Sequence, residues 1–152
     1  MRKRINNNLI TFILFSLLLA IINGYIFNYI NNNFVHYSHT DNGGLNNLSK
    51  NSLIMLTIFV APIIETWIFQ YTSLIVLKEV FKVENDKICI LIMSLVFSQF
   101  HWYSWLYVVM IFFSGLILNN FYITALRKYK YSFLLTVLLH SIYNLYGFLF
   151  VV

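Results

Sequence analysis

The chain has 152 residues, of which 60% are hydrophobic and only 10% are charged. A soluble domain is about 45–50% apolar and ~25% charged, and a chain of this length cannot hide such an apolar excess in one core. The excess faces lipid, which excludes a secreted disulfide scaffold, a nucleic-acid module and a disordered tail; the single cysteine, Cys89, cannot form an internal disulfide. In a membrane protein the net charge of +5 matters less than where its ten Lys and Arg residues fall.

A membrane span needs ~20 mostly apolar residues. The first candidate runs from Leu9 to Ile30, behind Arg2, Lys3 and Arg4. Its apolar run exceeds the ~7–15 residues of a signal-peptide core, and no A-x-A-like site closes it, so it reads as a retained anchor. Asn31 to Asn51 is rich in Asn, Ser and Gly and reads as a loop. His36 and His39 in it read as solvated residues rather than metal ligands. The second span is expected from about Leu53 to Leu77, with Pro62 a potential kink in its middle.

A charged stretch, Lys78 to Lys87, comes next, followed by an unbroken apolar run from Ile88 to Leu126. As one helix those 39 residues would extend ~58 Å, nearly twice the ~30 Å hydrocarbon core. Two spans joined by a tight turn are therefore expected. Trp and Tyr favour the interface, which places the turn at His101-Trp102-Tyr103-Ser104-Trp105. Arg127, Lys128 and Lys130 end the fourth span, and the fifth runs from about Tyr131 to Val152.

Five spans alternate sides. With the N-terminus in the cytoplasm, nine of the ten positive residues lie inside and only Lys50 lies outside, a strong positive-inside pattern. Backbone groups in lipid must be satisfied within each segment, and these apolar runs are too long for barrel strands. The expected fold is all-α: a polytopic membrane bundle of about five transmembrane helices, forming a single membrane domain over residues 1–152. A bacterial cytoplasmic membrane is the expected location.

An ionisable side chain at mid-membrane costs ~2.5–3.5 kcal/mol even on lenient insertion scales, which makes it a functional candidate. Three qualify: Glu65, His101 and His140, with Asn144 as a fourth strongly polar group. Counted from the positive ends at 1.5 Å per residue, Glu65 lies ~20 Å above Lys78 and His101 ~21 Å above Lys87. His140 and Asn144 lie ~15 and ~21 Å above Lys130. Three helices thus bring their rare polar groups to similar depth. His140 and Asn144 are i, i+4 on one helix face, as are Phe97 with His101 and Thr66 with Gln70.

Residue types narrow the chemistry. There is no H-E-x-x-H, and Asp41 and Asp86, the two aspartates, both lie in loops. Ser114-Gly115, the one Ser-Gly pair in a span, reads as a close-packing site rather than a nucleophile. Glu65 with two histidines remains. A carboxylate in low-dielectric surroundings suits a general base working near neutral pH, and His and Asn can donate to a developing oxyanion.

These residues resemble a family, the CPBP membrane proteins (CAAX proteases and bacteriocin-processing enzymes, type II CAAX prenyl endopeptidase-like). The stretch Ala61 to Gln70 resembles motif one, usually E-E-x-x-x-R; Phe97 to His101 fits F-x-x-x-H; His140 to Asn144 fits H-x-x-x-N. The resemblance covers about residues 52–150, a catalytic core behind the anchor of residues 9–30. It implies an intramembrane endopeptidase acting on a peptide or membrane-protein substrate, with no nucleic-acid partner. Glu65 and His101 would activate water; His140 and Asn144 would hold the oxyanion; Thr66, Gln70 and Phe97 would support them. A metal-free site is favoured because Asn144 is a poor zinc ligand, with zinc on Glu65, His101 and His140 as the alternative. The second Glu of motif one is Thr66 here and its Arg is Gln70. Both charges are replaced together by neutral groups that could keep a hydrogen bond. A non-catalytic membrane protein, such as a bacteriocin self-immunity factor or partner-binding subunit, is the alternative function.

Overall fold

A computed structural model describes residues 7–36 and 48–150. Arg2, Lys3, Arg4, His39, Asp41 and Val152, which entered the topology and loop readings, lie outside the described residues. Five helical stretches follow one another, and no strand occurs among the described residues. We number them α1 (Asn7–Ile30), α2 (Lys50–Val80), α3 (Asp86–Gln99), α4 (Trp105–Lys128) and α5 (Ser132–Phe150).

Helix α1 continues past Ile30 through a wide turn, Asn31–Val35, which His36 closes with a left-handed φ of 55° and an N–H bond to the Asn31 carbonyl. The polar loop therefore begins later than its composition suggests. Helix α2 is capped by Ser49, whose side chain accepts from the Ser52 N–H. It opens into a wide i→i+5 stretch at Met55–Val60, directly before Pro62. Proline lacks an N–H and its ring crowds the carbonyl four residues back, so the ladder widens there. Two further wide stretches, Thr66–Thr72 and Val76–Val80, have no proline to cause them. Helix α2 ends at Lys82, which has a φ of 54°, while the Val83 N–H returns to the Leu77 carbonyl.

Helices α1, α2, α4 and α5 are long and apolar enough to cross a membrane. Helix α3 has 14 residues, or about 21 Å, and is shorter than the full span expected for it. It stops where the turn was expected: Phe100 to Tyr103 form the turn, and Ser104 caps α4 by accepting from the Tyr107 N–H. Large apolar side chains such as Leu14, Phe15, Ile63, Ile64 and Trp67 remain exposed, as a lipid-facing surface requires.

The core has two main parts. Leu74, Leu77, Cys89, Met93, Tyr122 and Ile123 pack where α2, α3 and α4 meet. Leu118, Phe121, Ala125 and Leu139 pack α4 on α5, and Phe12 of α1 stacks on Phe121 with ring centroids 4.8 Å apart. Gly115 marks a close approach of α3 and α4: a Cβ there would lie 3.2 Å from both Cα and Cβ of Ser94. Small residues at this position allow close helix packing. At one end of the bundle Asp86 pairs with Lys78 (2.9 Å) and with Arg127, tying the ends of α2, α3 and α4 together.

Candidate active site

Glu65 sits on α2 in the turn after Pro62, just where the helix begins to widen. Its Oε2 lies 3.4 Å from His140 Nε2 on α5 and 3.8 Å from His101 Nε2. Three separate segments thus bring all three ionisable residues of the membrane interior together. The side chains of His140, His101 and Glu65 are 6%, 15% and 23% exposed, so the cluster is shielded yet opens on one side.

His101 lies in the turn just beyond α3, not within the helix. Its Nδ1 is 2.9 Å from the Phe97 carbonyl. A carbonyl only accepts, so Nδ1 carries the proton, and in the neutral ring Nε2, facing Glu65, carries the lone pair. The tautomer is thus assigned from its partner. The Phe97 ring meets His101 edge-on at 4.6 Å and His140 at 6.1 Å, holding both imidazoles from one side. Phe69 of α2 packs in turn on Phe97 at 5.2 Å.

Asn144 lies one helical turn beyond His140. Its Nδ2 donates to the Thr57 carbonyl at 2.9 Å, which ties α5 to the widened turn of α2. One of its two amide hydrogens is thereby used. Glu65, His101, His140, Asn144 and Phe97 all line a single cavity of about 560 Å³, whose remaining walls are largely apolar.

Thr66 and Gln70 are fully buried but are not hydrogen-bonded to each other, contrary to the sequence expectation. Both lie in the wide stretch of α2, where residues four apart no longer stand in helical register. Gln70 Nε2 donates instead to Asn119 Oδ1 at 3.3 Å, and Asn119 Nδ2 donates to Ser94 Oγ at 2.9 Å. Asn119 thus joins α2, α4 and α3. A second chain was not foreseen as part of the site: Asn23 of α1 donates to Ser114 Oγ, which donates to Tyr143 Oη. Tyr107 is a further lining residue that spacing did not single out, its ring 6.4 Å from that of His101.

The fit to a metal can be tested on the donors. Among the described residues no three His, Cys, Asp or Glu side chains have the arrangement of a metal site. Metal-bound imidazoles almost always donate their second N–H to a carboxylate, carbonyl or water. His140 Nδ1 is buried with no protein partner. That orphaned Nδ1 departs from the usual pattern of a metal-bound imidazole.

One family model matches the chain: type II CAAX prenyl endopeptidase Rce1-like, over residues 47–146. No curated protein and no solved structure matches it.

Proposed function

The chain belongs to the type II CAAX prenyl endopeptidase Rce1-like family, and from that membership we propose that it hydrolyses a peptide bond with Glu65 and His101 as the water-activating pair. The observation that carries this reading is the convergence of His140 and His101 on one oxygen of Glu65, at 3.4 and 3.8 Å. The longer distance exceeds a hydrogen bond. It leaves room for a water ~2.8 Å from both Glu65 Oε2 and His101 Nε2.

In the proposed reaction Glu65 takes a proton from that water as its oxygen attacks the scissile carbonyl. The lone pair of His101 Nε2 shares the proton and fixes the direction of attack. His140, with its proton on Nε2, and the second amide hydrogen of Asn144 donate to the oxygen that becomes negative. Glu65 then returns the proton to the leaving amine. Every step uses this chain's own groups, and zinc on Glu65, His101 and His140 is the alternative to be tested.

The protein is an integral membrane protein by its family and its four long apolar helices. We place its N-terminus on the cytoplasmic side of a bacterial membrane. Lys78, Arg127 and their basic neighbours gather at one end of the bundle, as a positive-inside arrangement requires.

The decisive experiment compares membranes expressing wild type and Glu65→Gln by mass spectrometry of protein termini. New termini present only with the wild type are expected and would also name the substrate. Identical termini in both would refute the proteolytic reading. Protection or partner binding that survives Glu65→Gln would then favour a self-immunity or partner-binding role.

A further inference from the structure

The family match begins at residue 47 and leaves α1 outside it, yet α1 reaches the candidate site. Ala20 and Gly24, one turn apart, line the same cavity as Glu65, His101 and His140. Their neighbours Ile22 and Ile26 are exposed to the lipid side. Helix α1 therefore turns its smallest residues to the cavity and its bulky ones outward. Two other lining residues pack against Gly24. A Cβ added at Gly24 would lie 3.3 Å from Tyr143 Oη and 3.7 Å from Tyr146 Cε1.

The roll of α1 is fixed by hydrogen bonds. Asn23 Nδ2 donates both to the Met110 carbonyl at 3.0 Å and to Ser114 Oγ at 2.9 Å. Ser114 donates onward to Tyr143 Oη at 3.3 Å. Tyr143 stands between His140 and Asn144 on α5. Rotation of α1 would break both bonds of Asn23 and withdraw Ala20 and Gly24 from the wall.

We propose that α1 is the specificity wall of the cavity: Ala20 and Gly24 set the size of the apolar side chain accepted beside the scissile bond, and Asn23 is the positioning residue that holds them there. The inference rests on the proteolytic reading above and names the substrate feature that site selects. Removing one methylene's worth of space from an apolar pocket changes selectivity by about tenfold or more.

The test uses the full chain purified into vesicles of phosphatidylethanolamine and phosphatidylglycerol. A proteome-derived peptide library is added and cleavage sites are read by mass spectrometry. Gly24→Val is expected to raise the preference for Ala over Leu or Phe at one position by about tenfold. Where Val prevents folding, Gly24→Ala adds one carbon and should shift the profile in the same direction. Ser114→Ala and Asn23→Ala are both expected to broaden the profile at that position, because both break the relay that holds α1. Ile22→Leu, on the lipid side, should leave the profile as in wild type. A wild-type profile in Gly24→Val or, failing that, in Gly24→Ala overturns the proposal, as does an equal shift in Ile22→Leu. Cleavage by Glu65→Gln equal to wild type overturns the proteolytic reading itself, and the wall with it.

Discussion

Gln70 on α2 and Asn119 on α4, both fully buried, share a hydrogen bond of 3.3 Å between their side-chain amides. Asn119 passes the connection to Ser94 on α3. The related motif pairs a Glu with an Arg at the positions of Thr66 and Gln70. Here the charge pair is replaced by a neutral contact that leaves the helix altogether and reaches across the bundle. Because Asn119 can bridge to both neighbours, one residue aligns the helix bearing Glu65 with the helix that leads to His101.

Gln70→Leu should therefore destabilise the fold by about 1 kcal/mol. The loss leaves Asn119 Oδ1 buried without a donor, a cost of ~1–3 kcal/mol. It is partly offset because Gln70 Oε1 is itself buried without a partner and disappears with the substitution. Unfolding equilibria in detergent for the single variants and the Gln70→Leu, Asn119→Leu pair will measure this. A double-mutant coupling near zero would show that the contact contributes nothing.

Gly115→Val should cost about 1–3 kcal/mol by overpacking. The first atom of the new side chain already meets Ser94 backbone and side chain at 3.2 Å and Phe97 at 3.3 Å. Since α3 leads to His101, turnover should fall further than stability alone predicts. Thermal midpoints and kcat of the same preparations separate the two effects.

Phe97→Leu should lower kcat more than it raises KM. The ring holds His101 and His140 edge-on, and such aromatic contacts are worth ~0.5–1.5 kcal/mol beyond burial. A variant with kcat unchanged would show that the imidazoles hold their positions unaided.

Dialysis against a chelator should leave cleavage unchanged, following the metal-free reading of Glu65, His101 and His140. Activity lost with chelator and restored by zinc alone would make those three residues the ligands instead.

The charged end of the bundle gives a pH prediction. The hydrogen bond from Lys78, and the charges of Lys78 and Arg127, hold the Asp86 carboxyl below the usual carboxylate range. A depressed folded value means that Asp86 contributes its stabilisation above the ordinary carboxylate value near 4, and loses it as the pH falls below that. As the pH falls below about 4, stability of the wild type should drop more steeply than that of Asp86→Asn, and the difference should shrink in high salt.

Much of this was legible in the sequence because the membrane makes certain residues rare. Glu65, His101 and His140 stood out as costly, and the structure brings them within 4 Å of one carboxylate oxygen. The turn at Phe100–Tyr103 was legible because Trp and Tyr mark interfaces and the apolar run was too long for one helix. The short length of α3 was not, since its apolar residues continue without a break into α4. Nor were the amide and hydroxyl chains. Asn23, Ser114 and Tyr143 are ordinary residues for a membrane helix, and nothing in their spacing says which helices adjoin. The widening of α2 at Met55–Val60 has one visible cause, Pro62, and that residue was singled out; the second widening, which carries Thr66 and Gln70, depends on packing that no periodicity records.

The brevity of α3 carries a last consequence. At about 21 Å it falls some 9 Å short of the hydrocarbon thickness, and the turn that completes the distance is non-helical. Irregular backbone is tolerated at that depth only when protein or solvent satisfies it. Within the turn, the His101 and Tyr103 N–H groups find carbonyls of the same short segment. The turn leaves the His101 side chain 15% exposed, lining the cavity. A hydrolase embedded in oil needs one solvent molecule for every bond it breaks. On the proposed mechanism, the end of that early-stopping helix is where His101 would meet it.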